Sequence, residues 1–171
     1  AGSSTAALRF TRALRAPFGE REPEVITAEE LARRWGSSDP ALLERAQELG
    51  IMRPLGDGRY EEVSPTLARA SAELAEIGIS ARQALEVAGS LREHADRIAG
   101  AYVKLFVEAV WEPFDAAGRP AERWPEVLEA LERLRPLAAE SLHAMFGLAM
   151  DSATERTLGR QLEQLPGASA P

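Results

Sequence analysis

The longest regular pattern of apolar and polar positions lies in residues 81–112. Apolar side chains recur there at a spacing of about 3.5 residues, and charged side chains fill the positions between them. Such spacing predicts one long helix with an apolar seam, which we expect Pro113 to end. Two interpretations of the seam stay open: a coiled coil with a second copy of the chain, or burial in the bundle of its own chain. Its members, which form the candidate dimer interface, are Ala84, Ala88, Leu91, Ala95, Ile98, Tyr102 and Leu105.

Ahead of this helix, turn signals alternate with short amphipathic segments. A capping box formed by Thr27 and Glu30 predicts the start of a first helix. An N-cap residue followed by proline predicts two more helix starts, at Asp39 and at Ser64. Two short extended runs around Gly56–Gly58 predict a small β-hairpin. The predicted elements are helices at 28–35 and 40–49, a hairpin at 51–63 and a third helix that ends before Gly78.

Both ends of the chain carry further helical patterns. At the start, we expect a flexible lead at 1–4, a short helix at 6–15 and a loop at 16–24, where proline and glycine interrupt the pattern. Near the other end, we expect two helices, at 122–134 and 136–164, with Pro136 either in the first turn of the second helix or at a sharp bend between the two. The predicted fold is mainly α, with a leading helix and linker (1–23), a winged helix-turn-helix (24–80), a long helix that carries the apolar seam (81–113), a C-terminal helical bundle (114–165) and a disordered tail (166–171).

Composition excludes several classes of protein. The 171 residues have a net charge of −7, which argues against binding of a polyanion by the whole chain. Cysteine is absent, so disulfides, thiol catalysis and cysteine-based metal sites are excluded. No apolar run approaches the roughly 18 residues that cross a bilayer, and no signal peptide is visible, so we expect a cytoplasmic protein without membrane contact. Because the sequence begins at Ala1 rather than at Met, we expect either a processed start or a piece of a longer chain.

Four short motifs accompany this order of elements: Leu31-Ala32 with Gly36, Leu49-Gly50-Ile51, the turn from Gly56 to Tyr60, and Gly78-Ile79-Ser80. Together with the order of the elements, they resemble the MerR family of transcription regulators. The resemblance covers about residues 25–112 and implies a winged helix-turn-helix, followed by a long dimerisation helix that pairs antiparallel with its mate in a homodimer. It also implies the layout of actinobacterial MerR-like regulators, in which a DNA-binding head precedes an effector portion such as the C-terminal region 114–165.

The chain departs from the family where DNA contact is expected. DNA-reading members carry Arg, Lys and Tyr on the second helix and the wing, facing phosphates and bases. Between Ser37 and Val63 this chain has six acidic and three basic residues, although phosphate binding requires the opposite sign. We therefore expect a degenerate winged helix in an effector-sensing and dimerisation region, with DNA contacted by an upstream domain. Two alternatives stay open: a protein-interaction module that docks a basic partner, and a winged-helix dimer that binds DNA weakly.

Aromatic residues concentrate where the long helix meets the C-terminal region. A regulator needs an input, and an apolar pocket with a few polar groups is the usual form of a small-molecule site. We expect such a pocket here for a small apolar effector, with Met145 and Met150 of the last helix close by. The competing interpretation is ordinary core packing. The candidate ligand-binding residues are Tyr102, Phe106, Trp111, Phe114, Trp124, His143 and Phe146.

No pattern supports catalysis, a metal or a cofactor. Glu140 and His143 have the spacing of half a di-iron site, but His94 lacks a glutamate three residues before it, so the second half is missing. Two histidines without cysteine leave little for zinc. The sequence contains neither a Gly-x-Ser-x-Gly elbow nor a phosphate-binding glycine fingerprint. We therefore expect no enzyme, no catalytic residue and no cofactor.

Overall fold

The computed structural model describes residues 2–15 and 23–163, so most of the predicted loop and the whole predicted tail lie outside the described residues. The fold is mainly α, with one small antiparallel sheet. Within the described ranges, no helix is both long and apolar enough to cross a membrane. The helices are α1 (Gly2–Arg15), α2 (Ala28–Trp35), α3 (Pro40–Glu48), α4 (Pro65–Glu76), α5 (Ala81–Phe106), α6 (Glu112–Ala116), α7 (Trp124–Thr154) and α8 (Arg160–Glu163). The strands are β1 (Glu24–Thr27), β2 (Met52–Gly56) and β3 (Arg59–Glu62).

The described residues divide into two compact units. Residues 23–101 form the sheet unit, named for the three strands that it contains. Residues 2–15 and 102–163 form the aromatic unit. The sequence predicts a leading region of its own at 1–23, whereas α1 packs with the C-terminal helices in the aromatic unit.

The three strands form a sheet in the order β1-β3-β2. β2 and β3 make the predicted hairpin, in which Arg53 lies opposite Glu61. β1 pairs with the other edge of β3, with Ile26 opposite Tyr60. The prediction of a loop up to residue 24 is wrong at Glu24, which begins β1. A four-residue strand with one buried side chain contains too little alternation to be recognised, and its partner strand lies far along the chain.

Helix starts in the sheet unit follow the predicted caps. The hydroxyl of Thr27 accepts the amide N–H of Glu30, and the Glu30 carboxylate accepts the N–H of Thr27. Gly36 ends α2 in the left-handed region at φ +62°. Asp39 caps α3 by accepting the N–H of Ala41. The caps confirm the predicted starts, and the core that the elements enclose consists of Ile26, Leu31, Leu42, Ala46, Leu49, Met52, Ala81 and Leu85.

The long helical path does not end at Pro113, so that prediction is wrong. After α5, one π-helical turn covers Val107–Trp111, and α6 continues the path to Ala116. In this turn the N–H of Glu112 donates to the C=O of Val107, five residues back. The wider turn makes room for the ring of Pro113, which would clash with the preceding turn of a regular α-helix. Because Pro113 has no N–H, its place near the start of α6 leaves no backbone donor unpaired.

The C-terminal region contains one long helix where the sequence predicts two. α7 includes Pro136 in its interior. A proline there removes one helical hydrogen bond and costs about 3 kcal/mol. Both Pro136 and Glu132, whose carbonyl loses its partner, are exposed, so water can satisfy that carbonyl. Burial of Val127 and Leu131 on the turns before the proline stabilises the helix.

Helix α1 covers the first half of α7. It begins at Gly2, so the prediction of a flexible lead is wrong for residues 2–4. The ring of Phe10 is buried among the aromatic side chains of the unit. At the end of α1, Nη2 of Arg135 donates to the carbonyl of Leu14 at 3.2 Å. This bond satisfies one of the carbonyls that a helix C-terminus leaves open.

Candidate interface and ligand sites

Helix α3, the second helix of the predicted helix-turn-helix, is attached to α5 at both ends. At its start, Nη2 of Arg82 lies 2.8 Å from Oδ2 of Asp39, whose other oxygen caps α3. At its end, Nη1 of Arg92 donates to the carbonyl of Leu49 at 3.2 Å. Two arginines of α5 therefore bind the two ends of α3.

Helices α3 and α5 also approach closely between these two attachments. A Cβ atom added to Gly89 of α5 would lie 2.8 Å from Nη2 of Arg45. The same guanidinium contacts Glu48 through Nη1 at 2.9 Å. The side of α3 that carries Arg45 is thus turned towards α5, and its charge is balanced locally.

Two further ion pairs lie on the sheet. Nη1 of Arg53 on β2 is 2.6 Å from a carboxylate oxygen of Glu61, its partner across the strands. Nη1 of Arg34 on α2 is 2.6 Å from the carboxylate of Glu62. Glu62 is only 4% exposed, and a buried carboxylate requires a charged or hydrogen-bonding partner. This pair therefore fixes α2 on β3.

These contacts change the meaning of the acidic surplus between Ser37 and Val63. Arg34 and Arg82 lie outside that segment and neutralise two of its acids. Within the described part of the segment, only Glu44, Asp57 and Arg59 make no ion pair. The surface accordingly presents neither a cluster of free cations for phosphate nor a strongly acidic face for a basic partner.

An apolar cavity of about 140 Å³ lies in the sheet unit, bounded by α4 and the first half of α5. No residue of α4 is fully buried, so this helix does not close the space beside it. The few polar groups at the wall belong to Glu62, Ser64 and Ser71. A cavity of about 150 Å³ lined by aliphatic side chains accommodates a benzene ring. The main apolar lining residues are Leu67, Leu74, Ala84, Leu85, Ala88 and Leu91.

The candidate dimer-interface residues lie in different surroundings. In the sheet unit, Ala84 and Ala88 are half-buried, and they line the cavity together with Leu91, which is 47% exposed. Further along α5, Ala95 is exposed and Ile98 is half-buried. In the aromatic unit, Tyr102 is half-buried and Leu105 is exposed. The seam is thus not buried within its own units, as a helix at the centre of a closed bundle would be.

Five aromatic rings form the core of the aromatic unit. Four of them, from Phe106, Trp111, Phe114 and Trp124, belong to the candidate ligand residues. Phe114 is fully buried, and its ring centroid lies 4.8 Å from that of Trp124 in an edge-on arrangement. Phe10 of α1 stacks on Trp111 at 5.4 Å. Rings at such distances contact one another and fill the space between them. For these four residues, the packing favours the interpretation as a core over the interpretation as a ligand pocket.

The other three candidate ligand residues do not pack against this core. Tyr102 lies half-buried on α5, and His143 and Phe146 are exposed on the second half of α7. Ligand binding by the seven residues as a set stays a prediction. Among the described residues, no group of three or more His, Asp or Glu side chains could hold a metal ion.

Phe10 and the arginines that attach α3 are not predicted from the sequence. Phe10 has a usable signal, because it lies on the same face of α1 as small residues such as Ala6 and Ala13. Arg82 and Arg92 have none, since arginines on a long amphipathic helix are expected to pair with neighbours on their own helix. Arg92 does contact Asp96 in this way, in addition to Leu49.

Comparisons with protein-family models, with curated proteins and with solved structures found no match in any of the three. The resemblance to MerR regulators consequently rests on the short motifs and the order of the elements.

Proposed function

We propose that this chain is the dimerisation and effector-sensing region of a MerR-like transcription regulator, and that a separate domain contacts DNA. Two helices followed by a hairpin support a winged helix-turn-helix, with β2 and β3 as the wing. The partly exposed seam of α5 supports pairing of this helix with its mate in a second copy. In this proposal the winged helix is degenerate and serves as a scaffold.

The observation that carries the proposal is the use of arginine in the sheet unit. A helix that reads DNA needs cations and hydrogen-bond donors on its outer surface. The one base of α3 is Arg45, which is paired with Glu48, and the one base of β2 is Arg53, which is paired with Glu61. On the hairpin, Arg59 makes no ion pair among the described residues and can contact a phosphate. Such a surface supports scaffolding more than readout.

The input in this proposal is a small apolar molecule, about the size of one aromatic ring, bound in the cavity bounded by α4 and α5. Ala84, Ala88 and Leu91 belong to both the wall of this cavity and the seam. A ligand that presses on these residues would change the affinity of the seam for its mate, since two states that bind a ligand differently are shifted by it. Pairing and sensing would thereby be coupled through α5.

Titration of a labelled DNA duplex at several salt concentrations tests the loss of readout. We expect the unmodified chain to bind only weakly, with a slope of log K against log[salt] no steeper than about −2, since two contacted phosphates give roughly −1.8. Replacing Glu44 and Asp57 by Lys adds one cation to α3 and one to the hairpin, so affinity should rise and the slope should steepen by about 2. The matched control places Lys at Glu122 and Glu132 in the aromatic unit and should have little effect. Tight, strongly salt-dependent binding by the unmodified chain would contradict the proposal.

Binding of indole, followed by amide chemical shifts of the chain, tests the proposed input. Shifts should move for residues of α4 and the first half of α5. Ala88→Leu fills the cavity and should abolish these changes, while Ala99→Leu, an exposed position on the same helix, should preserve them. Indole shifts that are absent from α4 and α5, or that persist unchanged in Ala88→Leu, would overturn the assignment of the cavity.

A further inference from the structure

Among the described residues that line the cavity bounded by α4 and α5, Glu62 of β3 is the only carboxylate. Side chains two residues apart share a face of a strand, so Glu62 lies on the same face as Tyr60, which packs against the apolar core. Met52, opposite Glu62 on β2, belongs to that core. A buried ion pair is weak evidence for stability, because apolar side chains often serve the fold as well. A carboxylate at this core-facing position therefore points to a functional use.

Only one oxygen of the Glu62 carboxylate has a partner in the part of the chain that the structure describes. Oε2 accepts a hydrogen bond from Nη1 of Arg34 at 2.6 Å. Oε1 makes no hydrogen bond with any described residue. Arg34 does not line the cavity, so the carboxylate connects an arginine outside the cavity to the cavity wall. Since an ionised carboxylate can accept several hydrogen bonds, this buried group keeps acceptor capacity beside an apolar space.

Two hydroxyls provide the other polar groups that the cavity wall presents. Oγ of Ser64 caps α4 by accepting the N–H of Leu67 at 3.2 Å. The hydroxyl of Ser71 makes no hydrogen bond among the described residues. The remaining lining residues are aliphatic or aromatic. An apolar space with a few placed polar groups selects a ligand by the donor or acceptor that the ligand presents.

We propose that the cavity binds an uncharged aromatic ring that carries a hydroxyl or N–H group, and that Glu62 accepts a hydrogen bond from this group. The ring fills the apolar part of the cavity, whose volume suits one ring. Because Arg34 already balances the charge of Glu62, a cationic ligand would bring an uncompensated positive charge into an apolar space. A neutral donor pairs the open oxygen without that penalty. This inference rests on the proposed function, since it names the ligand chemistry of the same cavity.

Phenol and toluene separate hydrogen bonding from the filling of space, because they differ by a hydroxyl in place of a methyl group. Titration of the unmodified chain, followed by the amide chemical shifts of α4 and the first half of α5, gives both dissociation constants. A cavity that offers no acceptor prefers toluene, since a hydroxyl buried without a partner is unfavourable. We expect phenol to bind about tenfold more tightly than toluene, which is the contribution of a hydrogen bond to a charged group.

Removal of the carboxylate tests the assigned acceptor. Arg34→Met with Glu62→Leu replaces both members of the ion pair by apolar side chains, a change that buried pairs often tolerate. Toluene should then bind more tightly than phenol. Arg34→Met alone keeps the carboxylate and is the matched control, in which phenol should still bind more tightly. A preference for phenol that persists unchanged in the double variant would overturn the role of Glu62. The comparison in the unmodified chain decides the matter if a variant fails to fold.

The ligand series distinguishes failure of this inference from failure of the proposed function. Tighter binding of toluene than of phenol by the unmodified chain would overturn the inference and leave an apolar input in place. Benzylamine, a cation at neutral pH, should bind more weakly than phenol, and tighter binding would overturn the choice of an uncharged ligand. Phenol binding that leaves self-association unchanged in sedimentation equilibrium would support the inference and contradict the proposed coupling to pairing. If neither phenol nor toluene shifts α4 and α5, the inference and the proposed input both fail.

Discussion

The two units use their side chains in opposite ways. In the sheet unit, arginines and carboxylates connect separate elements, as Arg82 does with Asp39 and Arg34 with Glu62. In the aromatic unit, stacked rings connect the elements, and the ion pairs connect near neighbours in sequence, as in Arg119 with Asp115. The sheet unit thus joins its elements through ion pairs, whereas the aromatic unit joins them through rings and leaves large apolar side chains exposed on the second half of α7. The difference separates what specifies the fold of this chain from what is available for binding.

The largest effect expected from a single substitution lies in the aromatic core. Phe114→Ala should destabilise the aromatic unit by about 3–5 kcal/mol, because it removes a fully buried ring and leaves a cavity. Urea unfolding followed by the fluorescence of Trp111 and Trp124, in a chain that carries Trp35→Phe, measures this effect. Leu8→Ala, at an exposed position of the same unit, should change stability by less than about 0.5 kcal/mol. Similar losses in the two variants would show that the rings are not the core.

An intermediate effect is expected where a charge is buried in the sheet unit. Arg34→Met removes the partner of Glu62 and should cost about 2 kcal/mol; the cost stays below that of a fully buried pair because water reaches Arg34. Arg69→Met breaks the exposed pair with Glu73 on α4 and should cost no more than about 0.5 kcal/mol. Chemical denaturation followed by the amide chemical shifts of the sheet unit reports both. Equal costs would contradict a structural role for the buried pair.

The elements predicted correctly have strong local signals. Thr27 with Glu30 and Asp39 with Pro40 fix helix starts through hydrogen bonds to the nearest amides, so the sequence contains all of the determinants. Errors occur where local signals are overridden. Pro113 and Pro136 predict helix ends, but a π-helical turn accommodates the first and solvent exposure accommodates the second.

The candidate site was less predictable than the fold, because its contacts join distant parts of the chain. Four of the five core rings cluster near one junction in the sequence and are predicted together, but Phe10 joins them from the other end of the chain. Net charge between Ser37 and Val63 did not reveal the balancing roles of Arg34 and Arg82. Counting charges along a segment cannot show which side chains outside it supply the partners.

The smallest effect concerns the capping box of α2. The backbone N–H of Thr27, and then its hydroxyl, hydrogen-bond to the Glu30 carboxylate and lower the pKa of that group. Thr27→Ala should cost about 1 kcal/mol at neutral pH. Because the pKa of Glu30 is lowered by folding, its contribution is present above its unfolded pKa and is lost as the pH falls through the folded value.

A matched substitution of the neighbouring glutamate controls for the pH dependence of the Glu30 contribution to stability. The difference in unfolding free energy between Glu30→Gln and the unmodified chain should be clear at neutral pH and should disappear in acid. Glu29→Gln, an exposed neighbour in the first turn, should show no comparable change. A Glu30→Gln difference that is independent of pH would mean that the carboxylate does not act through its charge.

The most direct test of the account is the mass of the unmodified chain in solution, measured by sedimentation equilibrium over a wide range of micromolar concentrations. The partly exposed seam of α5 predicts a dimer that persists to low concentration. A sample that sediments with the mass of one chain throughout would contradict the claim that this chain is a pairing region.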